Sequence, residues 1–258
     1  MFPYTRDGYE IRMHHHGPWI ILEAVPLRQN SPDQIPVRWA AAMLHEVRTP
    51  LATLSGYLDM MDPQIAGESG KQRLERAKAQ IDRLSHLTSD LMWLFKRNIA
   101  KEWCDINTLV DCAWASIRAK GSASTLTRIE PPHARVYVNP RRFELILVNM
   151  FKNAVEAVPS GEPILIRVHI QHGENFHSVA VIDDGPGIPE DVLTTLWDEP
   201  RTTKVQGHGL GLWIVKHLVD AHGGRLRLAT HPRNGTTLTI VLPYDAPSPI
   251  PGSNPTEP

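Results

Sequence analysis

Two long runs of regularly spaced apolar residues limit what this chain can become. Leu44, Val47, Leu51, Leu54, Leu58 and Met61 are spaced 3, 4, 3, 4, 3. Leu74, Ala77, Ile81, Leu84, Thr88, Leu91 and Phe95 repeat the same alternation. Steps of three and four residues put side chains in one seam along an α-helix. Asp62-Pro63 and the stretch from Gly67 to Gly70 interrupt the pattern, which predicts an antiparallel helical hairpin over residues 31–100. Two helices cover only one side of such a seam, and burying each leucine or isoleucine is worth about 1.5–3 kcal/mol. Pairing two hairpins into a four-helix bundle, and hence a homodimer, is the expected solution.

The flanking segments read differently. Gly8 to Met13 and Pro18 to Val25 have the composition of two short strands around Gly17. A hairpin over residues 1–30 buries little alone, so it is expected to be either the remnant of a PAS-type sensor domain or a cap on the rest of the chain. Arg28 to Pro36 is polar, contains two prolines and reads as a linker. From residue 101 the pattern becomes mixed α and β. Asp105 caps a helix to about Arg118, and Val136 to Val138 is a strand. Pro140 opens a helix through Val158. Ile164 to Ile170 and Ser178 to Asp183 are strands, and Leu210 to Ala221 is a helix. Arg225 to Thr230 and Thr236 to Leu242 form a closing hairpin around Asn234-Gly235. The domain of residues 101–243 is followed by a tail, 244–258; from Pro243 onward six of sixteen residues are proline, which predicts disorder.

Composition narrows the partners. Lys and Arg total 27 against 28 Asp and Glu, a net charge of −1, which removes the electrostatic case for nucleic acid or an anionic membrane. Cys104 and Cys112 form no CxxC pair, and the apolar run Trp19 to Leu22 is far short of the ~20 residues that cross a bilayer. These features predict a cytoplasmic protein without membrane insertion.

Four constellations carry possible chemistry. His45-Glu46-Val47-Arg48-Thr49-Pro50-Leu51 places an imidazole beside the seam, facing outward, with Thr49 one turn later on the same face. With an ordinary pKa near 6.5, neutral imidazole is a good nucleophile, and Glu46 can stabilise the imidazolium formed on attack. Pro50 removes a backbone donor and loosens that turn. An ordinary surface histidine fits the spacing as well. Asn149, Asn153 and Glu156 share a helical face with Lys152 at its margin. Amide oxygens suit Mg²⁺ and lysine suits a phosphate, although a solvated polar face has the same spacing. Asp183-Asp184-Gly185-Pro186-Gly187-Ile188 follows an apolar strand. A carboxylate there can accept from an exocyclic amine, and Gly185 and Gly187 permit close approach of a flat ligand, or simply form a turn. Gly207-His208-Gly209-Leu210-Gly211 runs into a helix, a layout that presents backbone N–H groups to an anion. It comes after a polar loop rather than a first strand, which excludes a dinucleotide fold. Trp197 to Gln206 has the composition of a lid.

In this order the motifs resemble those of the bacterial sensor histidine kinases of two-component signalling, over residues 37–243. His45 to Leu51 is similar to the H box, Asn149 to Ala157 to the N box, and Asp183 to Ile188 to the G1 box. Leu196 to Pro200 with Thr202-Thr203-Lys204 is similar to the F box, and Gly207 to Gly211 to the G2 box. The resemblance implies an α+β chain: an antiparallel helical hairpin forming a dimeric four-helix bundle, then a two-layer α/β sandwich ATPase domain of the Bergerat type. It implies that His45 accepts a phosphoryl group from ATP, that Glu46 assists as base, and that Thr49 serves a phosphatase reaction. Asn153 would ligate Mg²⁺, with Asn149 and Lys152 near the phosphates. Asp183 with Thr236 would recognise adenine. Thr203, Lys204 and the backbone of Gly207, His208, Gly209, Leu210 and Gly211 would close on the triphosphate. The partner implied is a response-regulator receiver domain. Trp197-Asp198 replaces the common Phe-Glu, Arg201 stands where an aromatic is usual, and Asn139 where an aspartate is common. The first two bear on lid packing more than on catalysis. The other readings are a catalytically silent dimeric scaffold or phosphorelay intermediary that keeps the fold, against which the intact Asn153, Asp183 and glycines weigh, and a plain ATPase.

Overall fold

The computed structural model describes residues 4–6, 9–26, 47, 51–54, 56, 72, 74, 76–77, 80–81, 84, 100–119, 124–129, 135–159, 162–173, 176–193, 196 and 210–244. Three strands open the chain: β1 (Tyr4–Arg6), β2 (Tyr9–His16) and β3 (Trp19–Pro26). Gly17, with φ +60, makes the tight turn between β2 and β3. The sequence pattern gives two of these strands and misses β1.

The described residues of both heptad runs are helical: Val47, Leu51 to Leu54 and Gly56 in the first, and Gln72, Leu74, Arg76, Ala77, Gln80, Ile81 and Leu84 in the second. Their seam is split. Ala77 is buried and Leu54 and Leu84 are half-buried, whereas Leu51, Leu74 and Ile81 are 48%, 43% and 49% exposed. One set of seam positions is thus covered within the chain while the other faces outward.

Beyond residue 100 the order is β4 (Glu102–Asp105), α1 (Ile106–Arg118), β5 (Thr125–Ile129), β6 (Arg135–Val138), α2 (Pro140–Val155), β7 (Leu165–His172), β8 (Phe176–Asp183), α3 (Glu190–Leu193), α4 (Leu210–Ala221), β9 (Arg225–His231) and β10 (Gly235–Pro243). Asp105 caps α1 by accepting from Asn107 N–H and Thr108 N–H. Asn139 caps α2 by accepting from Arg142 N–H, with Pro140 in the first turn. This helix ends at Val155, three residues before the expected Val158: Ala157 N–H bonds Ala154 O at 3.1 Å, three residues back rather than four, and the chain turns. The final hairpin does not turn on Asn234-Gly235 as a pair: Arg233 (φ 73) and Gly235 (φ 90) take the left-handed conformations.

Eight strands form one sheet in the order β1-β2-β3-β9-β10-β8-β7-β5, and β4 pairs with β6 in a second, two-stranded one. All the pairings are antiparallel except β5 with β7. The N-terminal strands therefore extend the sheet of the C-terminal half. Helix α2 packs against both α1 and α4 and buries Phe143, Ile146, Leu147, Met150 and Phe151 against the sheet. Trp114 of α1 meets Phe151 edge to face at 5.5 Å.

The segment that leads from the helical hairpin into this domain is tied to the end of α4. Lys101 Nζ donates to His222 O at 3.2 Å, and Asn139 Nδ2 donates to Ala100 O at 2.9 Å. His222 itself is buried. Its Nδ1–H donates to Leu218 O at 2.6 Å and its Nε2 accepts from Asn139 N–H at 3.1 Å. Both nitrogens are thereby committed to the neutral ring. Burial pushes its pKa down to about 4, helped by the positive charges of Lys101 and Arg142 and opposed by the Leu218 carbonyl. A folded pKa below the ordinary value gives stability that is complete above pH ~6.5 and lost as the pH falls through about 4. The expected loss is about 3 kcal/mol, visible as a falling urea midpoint. His222→Gln should flatten that decline, and an unchanged slope in the variant would contradict this assignment.

Candidate functional site

The site is built from two places: where β8 ends and β10 begins, and where α2 meets the start of α4. Asp183, the last residue of β8, is 7% exposed. Its Oδ1 accepts from Gly185 N–H at 3.0 Å and from Thr236 N–H at 3.1 Å. One donor belongs to the loop that follows and the other to β10, so the carboxylate is held from two segments of the chain. Backbone proximity makes this possible: a Cβ on Gly235 would lie 1.9 Å from Asp183 O. Only a glycine, with its φ of +90, lets β10 enter there.

The loop after Asp183 is anchored on β9 and the turn beyond it. Ile188 N–H donates to Thr230 Oγ1 at 2.8 Å, and Arg233 N–H donates to Pro186 O at 2.8 Å. Gly187, with φ +77, packs so closely on His231 that a Cβ would lie 2.3 Å from its carbonyl oxygen. Thr230 is fully buried and its hydroxyl also lies 3.3 Å from Thr236 Oγ1. Asp184 Oδ1 accepts from Leu165 N–H at 3.0 Å, tying the other side of the loop to β7.

The second wall comes from α2. Asn149 is buried and its Nδ2 donates to Leu145 O at 2.9 Å, which turns its oxygen away from its own helix turn. Both Asn149 and Asn153 face the first turn of α4: a Cβ on Gly211 would lie 3.2 Å from Asn149 Oδ1 and 3.3 Å from Asn153 Oδ1. Lys152 is more exposed and reaches Glu156 Oε1 at 3.8 Å. Among the described residues, no three His, Cys, Asp or Glu side chains gather as metal ligands. The amide oxygens on α2 are the hard donors this wall offers a cation.

The structure thus brings Asn149 and Asn153 of α2 to Gly211 of α4, and Gly185 and Thr236 to Asp183, with Gly187 packed on His231 and Lys152 exposed beside Glu156. Leu210 begins α4. His45, Glu46, Thr49, Pro50, Thr203, Lys204, Gly207, His208 and Gly209 lie outside the described residues, as does the expected lid, Trp197 to Gln206. Sequence reasoning missed Thr230 and His222. Thr230 had a readable signal: in Leu226-Arg227-Leu228-Ala229-Thr230 it occupies the next core-facing position after two leucines.

Known proteins give the same division. Residues 37–98 match the family model His Kinase A (phospho-acceptor) domain, and residues 138–246 match Histidine kinase-, DNA gyrase B-, and HSP90-like ATPase. The chain is 30% identical over 209 residues to Sporulation kinase A of Bacillus subtilis (strain 168), covering 79% of this chain and 34% of that protein. It is 28% identical over 211 residues to Sensor histidine kinase ZraS of Escherichia coli (strain K12), covering 80% of this chain and 45% of that protein. It therefore spans a third to a half of these curated relatives. Among solved structures, the Acinetobacter baumannii histidine kinase AdeS shares the fold with a TM-score of 0.61 at 20% identity, over 78% of this chain and 98% of that one. Full-length ShkA in complex with AMPPNP shares it with a TM-score of 0.55 at 22% identity, over 81% of this chain and 46% of that one. With a phospho-acceptor module followed by this ATPase module, the chain belongs to the bacterial two-component sensor histidine kinases.

Proposed function

We propose that the chain is an ATP-dependent protein-histidine kinase that phosphorylates His45 and passes the phosphoryl group to an aspartate of a separate response regulator. The observations that carry this reading are the convergence of Asn149 and Asn153 on the first turn of α4 and the holding of Asp183 by two backbone N–H groups at the end of β8. The ionised Asp183 accepts from the amine of adenine, and Gly185 and Gly187 let the purine lie close to backbone. Asn153, with Asn149 beside it, would hold Mg²⁺, which would supply neutralisation of phosphate charge. Lys152 adds a positive charge at the rim, and Thr203, Lys204 and the backbone from Gly207 to Gly211 close over the triphosphate.

In the transfer step the neutral imidazole of His45 attacks the γ-phosphorus, the bond to the bridging oxygen breaks, and ADP leaves with that electron pair. Glu46 accepts a hydrogen bond from the other ring nitrogen and stabilises the developing imidazolium. Positioning and charge neutralisation supply most of the catalysis in such a reaction. In the opposing phosphatase reaction Thr49 orients a water that attacks the phosphorus of the regulator's aspartyl phosphate, and the aspartate leaves as a free carboxylate while inorganic phosphate is released. The exposed Leu51, Leu74 and Ile81 are covered by a second copy, which gives the homodimer. Among the described residues no helix is long and apolar enough to cross a membrane, and the two modules are proposed to work in the cytoplasm.

The test is incubation with γ-labelled ATP and Mg²⁺ followed by sizing. Label is expected on a species of twice the 29.0 kDa chain mass and is expected to vanish in His45→Gln. Label retained by that variant contradicts the assignment of the acceptor, and a labelled species of single-chain mass contradicts the dimer.

A further inference from the structure

The N-terminal strands are fastened to the part of β9 that holds the purine loop. On the core side Ile11, Met13, Ile20, Leu22 and Ala24 are all buried. In the ladder between β3 and β9, Ile20 stands opposite Thr230 and Glu23 opposite Arg227. Thr230 is the residue whose hydroxyl accepts from Ile188 N–H, and its neighbour His231 supplies the carbonyl on which Gly187 rests. Trp19 covers that end of β9, its ring 5.3 Å from the His231 ring. His15 Nε2 lies 3.7 Å from Glu190 Oε1, the first residue after the loop ends at Pro189. On the outer face a charged row crosses three strands. Arg12 stands opposite Glu23, and Glu23 Oε1 accepts from Arg227 Nε at 3.1 Å.

We propose that Trp19 and Glu23 are positioning residues for the nucleotide reaction: docking of the β2–β3 hairpin on β9 holds Thr230 and His231 in place, and through them the loop from Asp184 to Pro189. The proposal rests on the nucleotide-site reading of the chain. The docked hairpin is the state that binds nucleotide well, and a hairpin that comes away lowers affinity in proportion to the docked fraction lost. Neither residue touches the ligand. Their effect travels through one ladder and one hydroxyl.

The test uses the full chain and two readouts: exchange of the Ile188 amide hydrogen without nucleotide, and affinity for ADP. Glu23→Arg sets three arginines in one row and should undock the hairpin. Exchange at Ile188 is expected to quicken about tenfold and ADP affinity to fall about fivefold. Adding Arg227→Glu restores an opposite-charge pair between β3 and β9 and should return both readouts close to the original. Trp19→Ala should act in the same direction and Trp19→Phe much less, which gives an independent arm should the arginine variant fail to fold. Unchanged Ile188 exchange in both Glu23→Arg and Trp19→Ala would overturn the proposal. So would a double charge variant as impaired as the single one, since that marks general damage. The exchange readout needs no nucleotide, so a parent chain that does not bind ADP but shows the coupled exchange overturns the nucleotide-site reading and leaves the coupling supported.

Discussion

Asp183→Asn is expected to abolish measurable nucleotide binding while the domain stays folded. In the structure a single oxygen, Oδ1, accepts from both Gly185 N–H and Thr236 N–H. An amide can satisfy those two donors only by pointing its oxygen at them, which aims its NH₂ group where the carboxylate had presented its second oxygen. The side chain then offers a donor to the donor amine of adenine. Turned the other way, the NH₂ faces two backbone N–H groups. Either arrangement forfeits a charge-assisted hydrogen bond and opposes like groups in a buried place, an effect of roughly 3 kcal/mol or about a hundredfold in affinity. Titration with AMPPNP checks this, and an affinity within a few-fold of the parent would contradict the assigned role.

Gly235→Ala is expected to damage stability and the site together. The residue sits at φ +90, and a methyl group there would lie 1.9 Å from Asp183 O and 2.8 Å from Asp183 C. Both neighbours are backbone of the adjacent strand, so no rotamer change relieves the contact. Either β10 moves away from β8 or the strand ends unzip. Left-handed strain and the displacement together should remove about 3–5 kcal/mol. The next residue, Thr236, carries an N–H that holds Asp183, so nucleotide affinity should fall with stability. Urea unfolding measures the first effect, and a loss below about 1 kcal/mol would show that the turn accommodates a side chain.

Much of this was legible in the sequence where a local signal decides the outcome. Helix α4 runs from Leu210 to Ala221, the limits set by the apolar run and by Gly223-Gly224 just beyond it. Asp105 was readable as the cap of α1 because its short side chain accepts from the first free N–H groups; Asn139 does the same for α2, where the sequence pointed only to Pro140. Asp183, Gly185, Gly187, Asn149 and Asn153 stand out in the sequence because glycines and short polar residues at fixed offsets around strand and helix ends are uncommon without a reason.

The features that escaped depend on partners distant along the chain. Strand β4 pairs only with β6, and β5 lies parallel to β7 at the sheet edge, with burial that alternates only weakly. No short window of sequence identifies such strands. The hairpin of β2 and β3 was readable as strands, yet its place beside β9 rests on the pairing of Ile20 with Thr230 and Glu23 with Arg227. Thr230 was overlooked for a related reason. A threonine in a strand is ordinary until its hydroxyl is seen holding Ile188.

Parallel incubations of the full chain with ATP labelled at the γ or at the α phosphorus, then peptide mapping at neutral pH, test the central claim most directly. The account predicts label from the γ position alone, stable to alkali and lost in acid, in the peptide that contains His45. Phosphate released with no labelled protein, or acid-stable label on another peptide, would contradict it.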